Sequence, residues 1–323
     1  MANAIRVHEA GGPDVLRWEE VEVGEPGPGQ VRITQHAAGL NYIDVYHRTG
    51  LYPQALPFTP GVEGAGEVAS VGAGVTGLSP GDRVAYVGPL GGYAEQRLIE
   101  ADRLVKLPDD MAFELAAAMM LQGMTARMLL RSVHAVASGE TILVHAAAGG
   151  VGLIMCQWAK ALGATVIGTV STDEKAELAR RHGCDHPIVY TREDFVAEVA
   201  RITAGDKLPV VYDSVGRETF LRSLDCLRVR GLMVSFGNAS GPPEPIAPTL
   251  LAHKGSLFLT RPTLFQYIAG RAELEQSAAE LFGMVRSGKV NIEIGQRFPL
   301  AEAAEAHRAL ESRATVGSTI LTT

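Results

Sequence analysis

From about residue 122 the chain settles into a rhythm that few folds accommodate: short apolar runs alternate with longer stretches of helical period. Six runs stand out, at Ile142 to His145, Thr165 to Gly168, Ile188 to Tyr190, Val210 to Asp213, Leu232 to Phe236 and Leu257 to Thr260. A strand that is apolar along its length must be covered on both faces, and helices between parallel strands supply that cover. Six parallel strands joined this way complete a doubly wound α/β sheet, an architecture suited to dinucleotides. The helix ends carry their own punctuation. Ser171-Thr172-Asp173-Glu174 has the spacing of a capping box, with Ser171 suited to the N-cap, and Gly183 stops the helix that follows.

The first third has another texture. It is rich in Gly, Pro and Val, with alternating runs such as Gln30 to Thr34 and Gly66 to Gly72, which predict short strands and tight turns in a barrel-like β domain. After about residue 262 the alternation ends. Two amphipathic helices, near Arg271 to Ser287 and Leu300 to Glu311, and a last strand near Ser318 to Leu321 remain. The β domain has too little helix to cover itself, so this tail is expected to return to it. The expected division is therefore 1–121, 122–262 and 263–323.

Composition matters for what it excludes. A net charge of −7, with no basic stripe, argues against nucleic acid as the main partner. Met1-Ala2-Asn3-Ala4 runs straight into strand-like sequence without a signal-peptide pattern, and no apolar run reaches the length of a membrane span. Cys156, Cys184 and Cys226 are scattered and lack metal-ligand spacing, which points to a reducing cytoplasm.

The stretch most informative about chemistry is Leu143 to Ile154, a strand, a glycine-rich turn and a helix start. Gly149 and Gly152 stand where the second and third glycines of G-x-G-x-x-G would stand, with Ala147 at the first. Ala148, Gly149, Gly150, Val151 and Gly152 would let the backbone approach a pyrophosphate, and the helix N-terminus would offer it free N–H groups. After the second strand, an acidic residue would bind an unmodified adenosine ribose. This chain has Ser171 there, with Lys175 one helical turn on and Tyr190 at the end of the third strand. A hydroxyl tolerates a 2′-phosphate and a lysine attracts it, so NADPH is expected over NADH. Asp173 and Glu174, close by, weigh the other way.

Gly139-Glu140-Thr141-Ile142-Leu143, continuing through Ala147 to Gly152 and on to Gln157-Trp158-Ala159-Lys160, resembles the signature of the zinc-free quinone oxidoreductase/ζ-crystallin family of medium-chain dehydrogenases/reductases. The resemblance extends over both domains, through Gly11 to Leu16, Asn41 to Asp44, Gly61 to Gly66, Tyr212 to Gly216, Ser235 to Asn238, Thr260 to Pro262 and Glu311 to Ala314. It implies an α/β protein with a Rossmann-type doubly wound six-stranded parallel sheet plus a GroES-like, β-barrel-type catalytic domain. It further implies that Asn41, Asp44 and Thr125 lie near the nicotinamide, that Phe236, Gly237 and Asn238 lie under its ring, that Ser214 lies near the adenosine, and that Arg313 and Gly317 close over the phosphates.

Zinc-dependent alcohol dehydrogenases of the same superfamily place Cys where this chain has Asn41 and His where it has Val62, and their third ligand falls near Leu121 and Gln122. No zinc site is therefore expected, since zinc needs three or four N, S or O ligands. Without a Lewis acid the best acceptors are quinones and conjugated carbonyls, which spread incoming charge over their own π systems. The expected task is to hold NADPH against a planar acceptor in a cleft between the domains, with Tyr46 and Tyr52 as candidates to stack on it or hydrogen-bond to it. An NADPH-dependent enone or 2-enoyl-thioester reductase is the competing reading. The last strand, Leu257 to Thr260, would be an apolar sheet edge in a monomer, so a homodimer paired through it is expected.

Overall fold

The computed structural model describes all 323 residues. They form two compact units: Met1–Met124 with Ile268–Ala279 and Ile292–Thr323, and Thr125–Tyr267 with Glu280–Asn291.

The first unit opens with the antiparallel pair β1 (Ala2–Val7) and β2 (Leu16–Val21). Its longest strand, β3 (Gln30–Leu40), pairs antiparallel with β4 (Glu63–Val71), and β4 pairs in turn with β5 (Arg83–Val87). β6 (Gln96–Glu100) lies along the first half of β3, and β7 (Leu104–Lys106) pairs with β5. Along β3, Val31, Ile33 and Gln35 are buried in alternation, the period-two pattern of a strand with one face in the core. Three helices belong to this stretch of chain: α1 (Tyr42–Arg48), which leaves the end of β3, then α2 (Phe113–Ala117) and α3 (Met120–Arg127).

The second unit alternates strand and helix as the sequence predicts. β8 (Thr141–Val144), α4 (Gly150–Ala161), β9 (Thr165–Val170), α5 (Asp173–Arg181), β10 (His186–Val189) and α6 (Phe195–Ile202) form its first half. β11 (Leu208–Asp213), α7 (Phe220–Ser223), β12 (Leu227–Ser235), α8 (Thr249–His253) and β13 (Phe258–Thr260) form the second. All six strands are parallel, in the order β10-β9-β8-β11-β12-β13. That is the 3-2-1-4-5-6 order of a doubly wound dinucleotide sheet, which reverses direction between β8 and β11. One buried layer takes Leu143, Ile167, Ile188, Val211 and Met233 from five successive strand positions and packs them with Phe195, Val199 and Phe220.

One helix start differs from the sequence reading. β9 runs through Val170, so Ser171 belongs to the strand exit, and Thr172 is the N-cap of α5. The Thr172 hydroxyl accepts from Lys175 N–H at 3.3 Å.

After α9 (Leu264–Tyr267) and α10 (Arg271–Arg286), the chain adds β14 (Ile294–Pro299), α11 (Ala303–Glu311) and β15 (Ser318–Thr322). β15 pairs antiparallel with β3, completing the order β14-β15-β3-β4-β5-β7. The expected return of the tail to the β domain is this pairing. β14 escapes the sequence pattern because it is a half-exposed strand that includes Gly295, Gln296 and Arg297 and has no apolar run. Glu280–Asn291 belongs with the second unit. Arg127 donates twice to Glu280, at 2.9 and 3.0 Å, and the Gln157 amide bonds both backbone groups of Asn291, at 2.8 and 2.9 Å.

The layer centred on Leu143 is the packing that the second unit most depends on. Leu143→Ala should lower the unfolding free energy by about 2–5 kcal/mol, the range for emptying a buried leucine site. Denaturant titration of the two proteins checks this, and an unchanged midpoint would place the core elsewhere.

Candidate functional site

Where β3 ends and α1 begins, the first unit buries an unusual number of polar groups. Asn41 is the N-cap of α1, and Asp44, at its third position, reaches back to accept from the Asn41 N–H at 2.9 Å. The Asn41 side chain faces other partners. Its Nδ2 donates to Glu63 Oε1 at 2.5 Å, and its Oδ1 accepts from Gln122 Nε2 at 3.0 Å. Glu63, on β4, also accepts from the Leu121 N–H at 2.6 Å, and Gln122 Oε1 lies 2.7 Å from Ser318 Oγ. Space for the Glu63 carboxyl exists because residue 39 is glycine. A Cβ there would stand 2.2 Å from Glu63 Oε1 and 2.4 Å from the Ala117 carbonyl.

The network continues on the other side of Asp44. Tyr93 Oη donates to Asp44 Oδ2 at 3.0 Å and lies 3.3 Å from His307 Nε2. Arg48 donates to His307 Nδ1 at 3.0 Å and grips Glu311 with two bonds of 2.8 and 2.9 Å. A guanidinium has only donors, so His307 accepts on Nδ1 and carries its hydrogen on Nε2. Asp44 and Glu63 are both completely buried. Burial pushes the Asp44 carboxyl up to about 7 and the Glu63 carboxyl up to about 8, against the pull of their hydrogen-bond donors. Burial has the opposite effect on the imidazoles, lowering His47 to about 4 and His307 to about 3. A carboxyl that keeps its proton near neutrality can donate a hydrogen bond or the proton itself.

Tyr46 and Tyr52 are brought together. Their rings meet edge-on at 5.2 Å, and Tyr52 N–H donates to the Tyr46 carbonyl at 3.0 Å. Arg313 and Gly317 lie in the turn between α11 and β15, both at positive φ, 60° and 61°. The Arg313 charge acts on Tyr42, whose hydroxyl burial pushes up and Arg313 pulls down.

In the second unit the glycine-rich turn follows β8. Ala146 takes a φ of +54°, and its carbonyl accepts from Gly149 N–H at 2.9 Å to close the turn. Gly149 is the N-cap of α4, and Gly150, Val151 and Gly152 form its first turn. The N–H groups of a first turn have no acceptor inside the helix, so they are free for a ligand at the positive end of the helix dipole. Gly152 lets the helix start this close to the strand. A Cβ there would stand 2.3 Å from the Ala146 carbonyl oxygen.

Two further groups of expected residues lie at the C-terminal ends of the strands. Ser171 and Tyr190 leave β9 and β10 side by side, with Tyr190 N–H donating to Val170 at 3.1 Å and Thr191 Oγ1 to the Ser171 carbonyl at 3.1 Å. Lys175 follows on α5. Phe236, Gly237 and Asn238 follow β12, and Ser214 sits against the middle one: a Cβ on Gly237 would meet the Ser214 carbonyl at 2.5 Å. Asp213 organises that loop. Its Oδ1 accepts from the N–H groups of Val215 and Gly216 at 2.8 and 3.0 Å, and its Oδ2 from Ser223 Oγ at 3.0 Å. Ser223 in turn contacts His145 Nε2 at 2.9 Å. Thr125 is half-buried on α3.

Sequence reasoning missed Glu63, Tyr93, Arg48, His307, Asp213 and His145. A lone acid among glycines at Gly61 to Gly66 was a readable hint of Glu63. Nothing marks Arg48 and His307 as neighbours, since 259 positions separate them.

The buried ionisable groups set the pH dependence of stability. A carboxyl raised on folding makes the native state bind more protons than the unfolded chain, so stability falls as pH rises from its ordinary value to its folded one. The lowered histidines act in the opposite sense, but only below their ordinary value of 6.5. The carboxyl effect should therefore stand alone between pH 6.5 and about 8. Melting temperature should fall across that window in the native protein and be flatter in Asp44→Asn/Glu63→Gln. Parallel profiles would show that the two carboxyls are ionised throughout.

Comparison with known proteins places these features in a lineage. Residues 27–109 match the family model of the alcohol dehydrogenase GroES-like domain, and residues 150–283 match that of the zinc-binding dehydrogenases. Over 99% of both chains the protein is 54% identical to a quinone oxidoreductase of Pseudomonas aeruginosa, and over the same share 47% identical to a 2-haloacrylate reductase of a Burkholderia species. The crystal structure of Escherichia coli quinone oxidoreductase complexed with NADPH superposes with a TM-score of 0.98 at 48% identity, covering 100% of each chain. Zinc, named in the second family model, does not fit the residues here: Asn41 and Gln122 bond each other as neutral amides, Val62 has no donor, and no three His, Cys, Asp or Glu side chains converge. Its fold, its strand-turn-helix motif and its full-length likeness to these enzymes show that the chain belongs to the quinone oxidoreductase family of the medium-chain dehydrogenases/reductases.

Proposed function

We propose that this protein is an NADPH-dependent quinone oxidoreductase that works without zinc. The observation that carries the reading is likeness over the full length of the chain to proteins named for that activity, one of them solved with NADPH. The site chemistry agrees with it. Gly150, Val151 and Gly152 would hold the pyrophosphate, with Ala148 and Gly149 shaping its approach, and Ser171, Lys175 and Tyr190 would surround the 2′-phosphate. Ser214, Phe236, Gly237, Asn238, Thr125, Arg313 and Gly317 would complete the cofactor's contacts. NADPH supplies the reducing hydride when bound.

The chain's own contribution is orientation and charge. Tyr46 and Tyr52 offer an aromatic edge for a planar acceptor. Asn41 is held between Glu63 and Gln122, and burial raises the Asp44 carboxyl to about 7, so these residues present fixed dipoles with less negative charge than an ordinary carboxylate would bring. A quinone needs little more, because its own π system carries the incoming charge. A second reading is reduction of an activated alkene, the class to which enones and 2-enoyl thioesters belong. The relative named 2-haloacrylate reductase favours it.

We also propose that two copies pair through β13. That strand has a neighbour on one side only, β12, and exposes Phe258 at 60% and Leu259 at 40%. An apolar edge of this kind is an invitation to pair, and a two-fold axis would continue the sheet from one copy into the next. No helix is long and apolar enough to cross a membrane, and the three cysteines are buried thiols, which supports a reducing cytoplasm as the setting.

Two measurements test these readings. Chelator-treated protein should oxidise NADPH faster than NADH with 1,4-benzoquinone or 1,2-naphthoquinone. Turnover confined to 2-chloroacrylate, crotonyl-CoA or a simple enone would instead support the second reading, and no turnover with any acceptor would contradict both. In sedimentation at micromolar concentration the protein should run at twice its 34.3 kDa chain mass, and Phe258→Lys should run as a monomer. A native protein sedimenting as a single chain would contradict the pairing.

A further inference from the structure

The exits of β9 and β10 hold a charge arrangement that the cofactor reading does not use. Asp173 is the first residue of α5, directly after the N-cap Thr172 and two residues after Ser171. Arg192, from the turn after β10, donates to both of its carboxylate oxygens, at 2.6 and 2.7 Å. The turn that carries Arg192 is fastened to the exit of β9 by the bonds from Tyr190 N–H and Thr191 Oγ1, so the guanidinium is presented to the segment around Ser171. Both side chains are more than half exposed, and an ion pair so open to water contributes little to stability. Its chemistry is better explained by what lies beside it.

In a dinucleotide sheet the exit of the second strand is where the adenosine ribose is read, and a carboxylate there favours an unmodified 2′-hydroxyl. This chain keeps two acids at that exit, Asp173 and Glu174. An uncancelled carboxylate would repel a 2′-phosphate over several ångströms of water. The ordinary device is to delete the acid. Here the acid at the helix start is kept, where it suits the helix dipole, and is covered by a guanidinium.

Resting on the NADPH reading, we infer that Arg192 sets the cofactor preference by masking Asp173, so that the 2′-phosphate meets Ser171 and Lys175 with Glu174 as the one acid of the exit left uncovered by this pair. Arg192 is thus a positioning residue that acts through Asp173 and is not itself a phosphate ligand. The device is electrostatic and exposed, so its effect shrinks as salt screens it.

The test is direct binding by titration calorimetry, with NADPH and with NADH, on the native protein, Arg192→Ala, Asp173→Asn and the double variant at low salt. Arg192→Ala should weaken NADPH about tenfold while NADH changes little, the scale of one poorly screened charge contact. Adding Asp173→Asn should restore NADPH binding, because the charge that needed masking is gone. Higher salt should narrow the gap between native protein and Arg192→Ala. Arg192→Ala with an unchanged NADPH-to-NADH ratio overturns the inference, and so does a double variant as weak as Arg192→Ala, which would make Arg192 a direct ligand. A native protein that binds NADH as tightly as NADPH overturns the cofactor reading itself, which separates the two failures.

Discussion

The close approach of α4 to the turn that precedes it is the constraint on which the nucleotide-binding unit depends. A side chain at position 152 would collide with the Ala146 carbonyl, so glycine there lets the helix begin where its first-turn N–H groups face out over the sheet. The strand order places this turn beside the reversal between β8 and β11, where a crevice opens at the C-terminal ends of the strands. Asp213 then fixes the neighbouring loop through two backbone N–H groups, and Gly237 lets the next loop close onto it. The apolar layer beneath, built on Leu143 and its neighbours, keeps these strand ends in register.

The first unit solves a different problem. Where zinc-dependent members of the superfamily carry metal ligands, this chain has two amides and a valine, and the amides share one hydrogen bond and take Glu63 and Ser318 as their other partners. Fully ionised, the surrounding carboxyls would be costly buried anions. Burial raises Asp44 to about 7 and Glu63 to about 8; both Glu63 oxygens find donors, in the Asn41 amide and the Leu121 N–H, and Asp44 Oδ2 takes the Asn41 N–H and Tyr93, while Asp44 Oδ1 is left without a hydrogen-bond partner. The result is a hydrogen-bonded polar floor of reduced negative charge, compatible with a reaction whose charge is absorbed by the acceptor.

Much of this was legible in the sequence because period and glycine spacing are local signals. All six parallel strands, the helix that stops at Gly183, the glycine turn and the last strand could be read from runs of residues. The N-cap of α5 was misplaced by one position because Ser171 and Thr172 are both good caps and only the length of β9 decides between them. The buried network was hidden for a different reason. Arg48, Tyr93 and His307 meet only after the chain has folded, and no spacing in the sequence encodes their contact. Likewise, Asp173 read as an obstacle to NADPH until the structure put Arg192 against it.

The measurement that bears most directly on the central claim is a crystal structure of the protein grown with NADPH. In it the pyrophosphate should lie on the N–H groups of Gly150, Val151 and Gly152 and the 2′-phosphate between Ser171 and Lys175. A pyrophosphate bound away from the start of α4, or an adenosine turned away from the exit of β9, would contradict that claim.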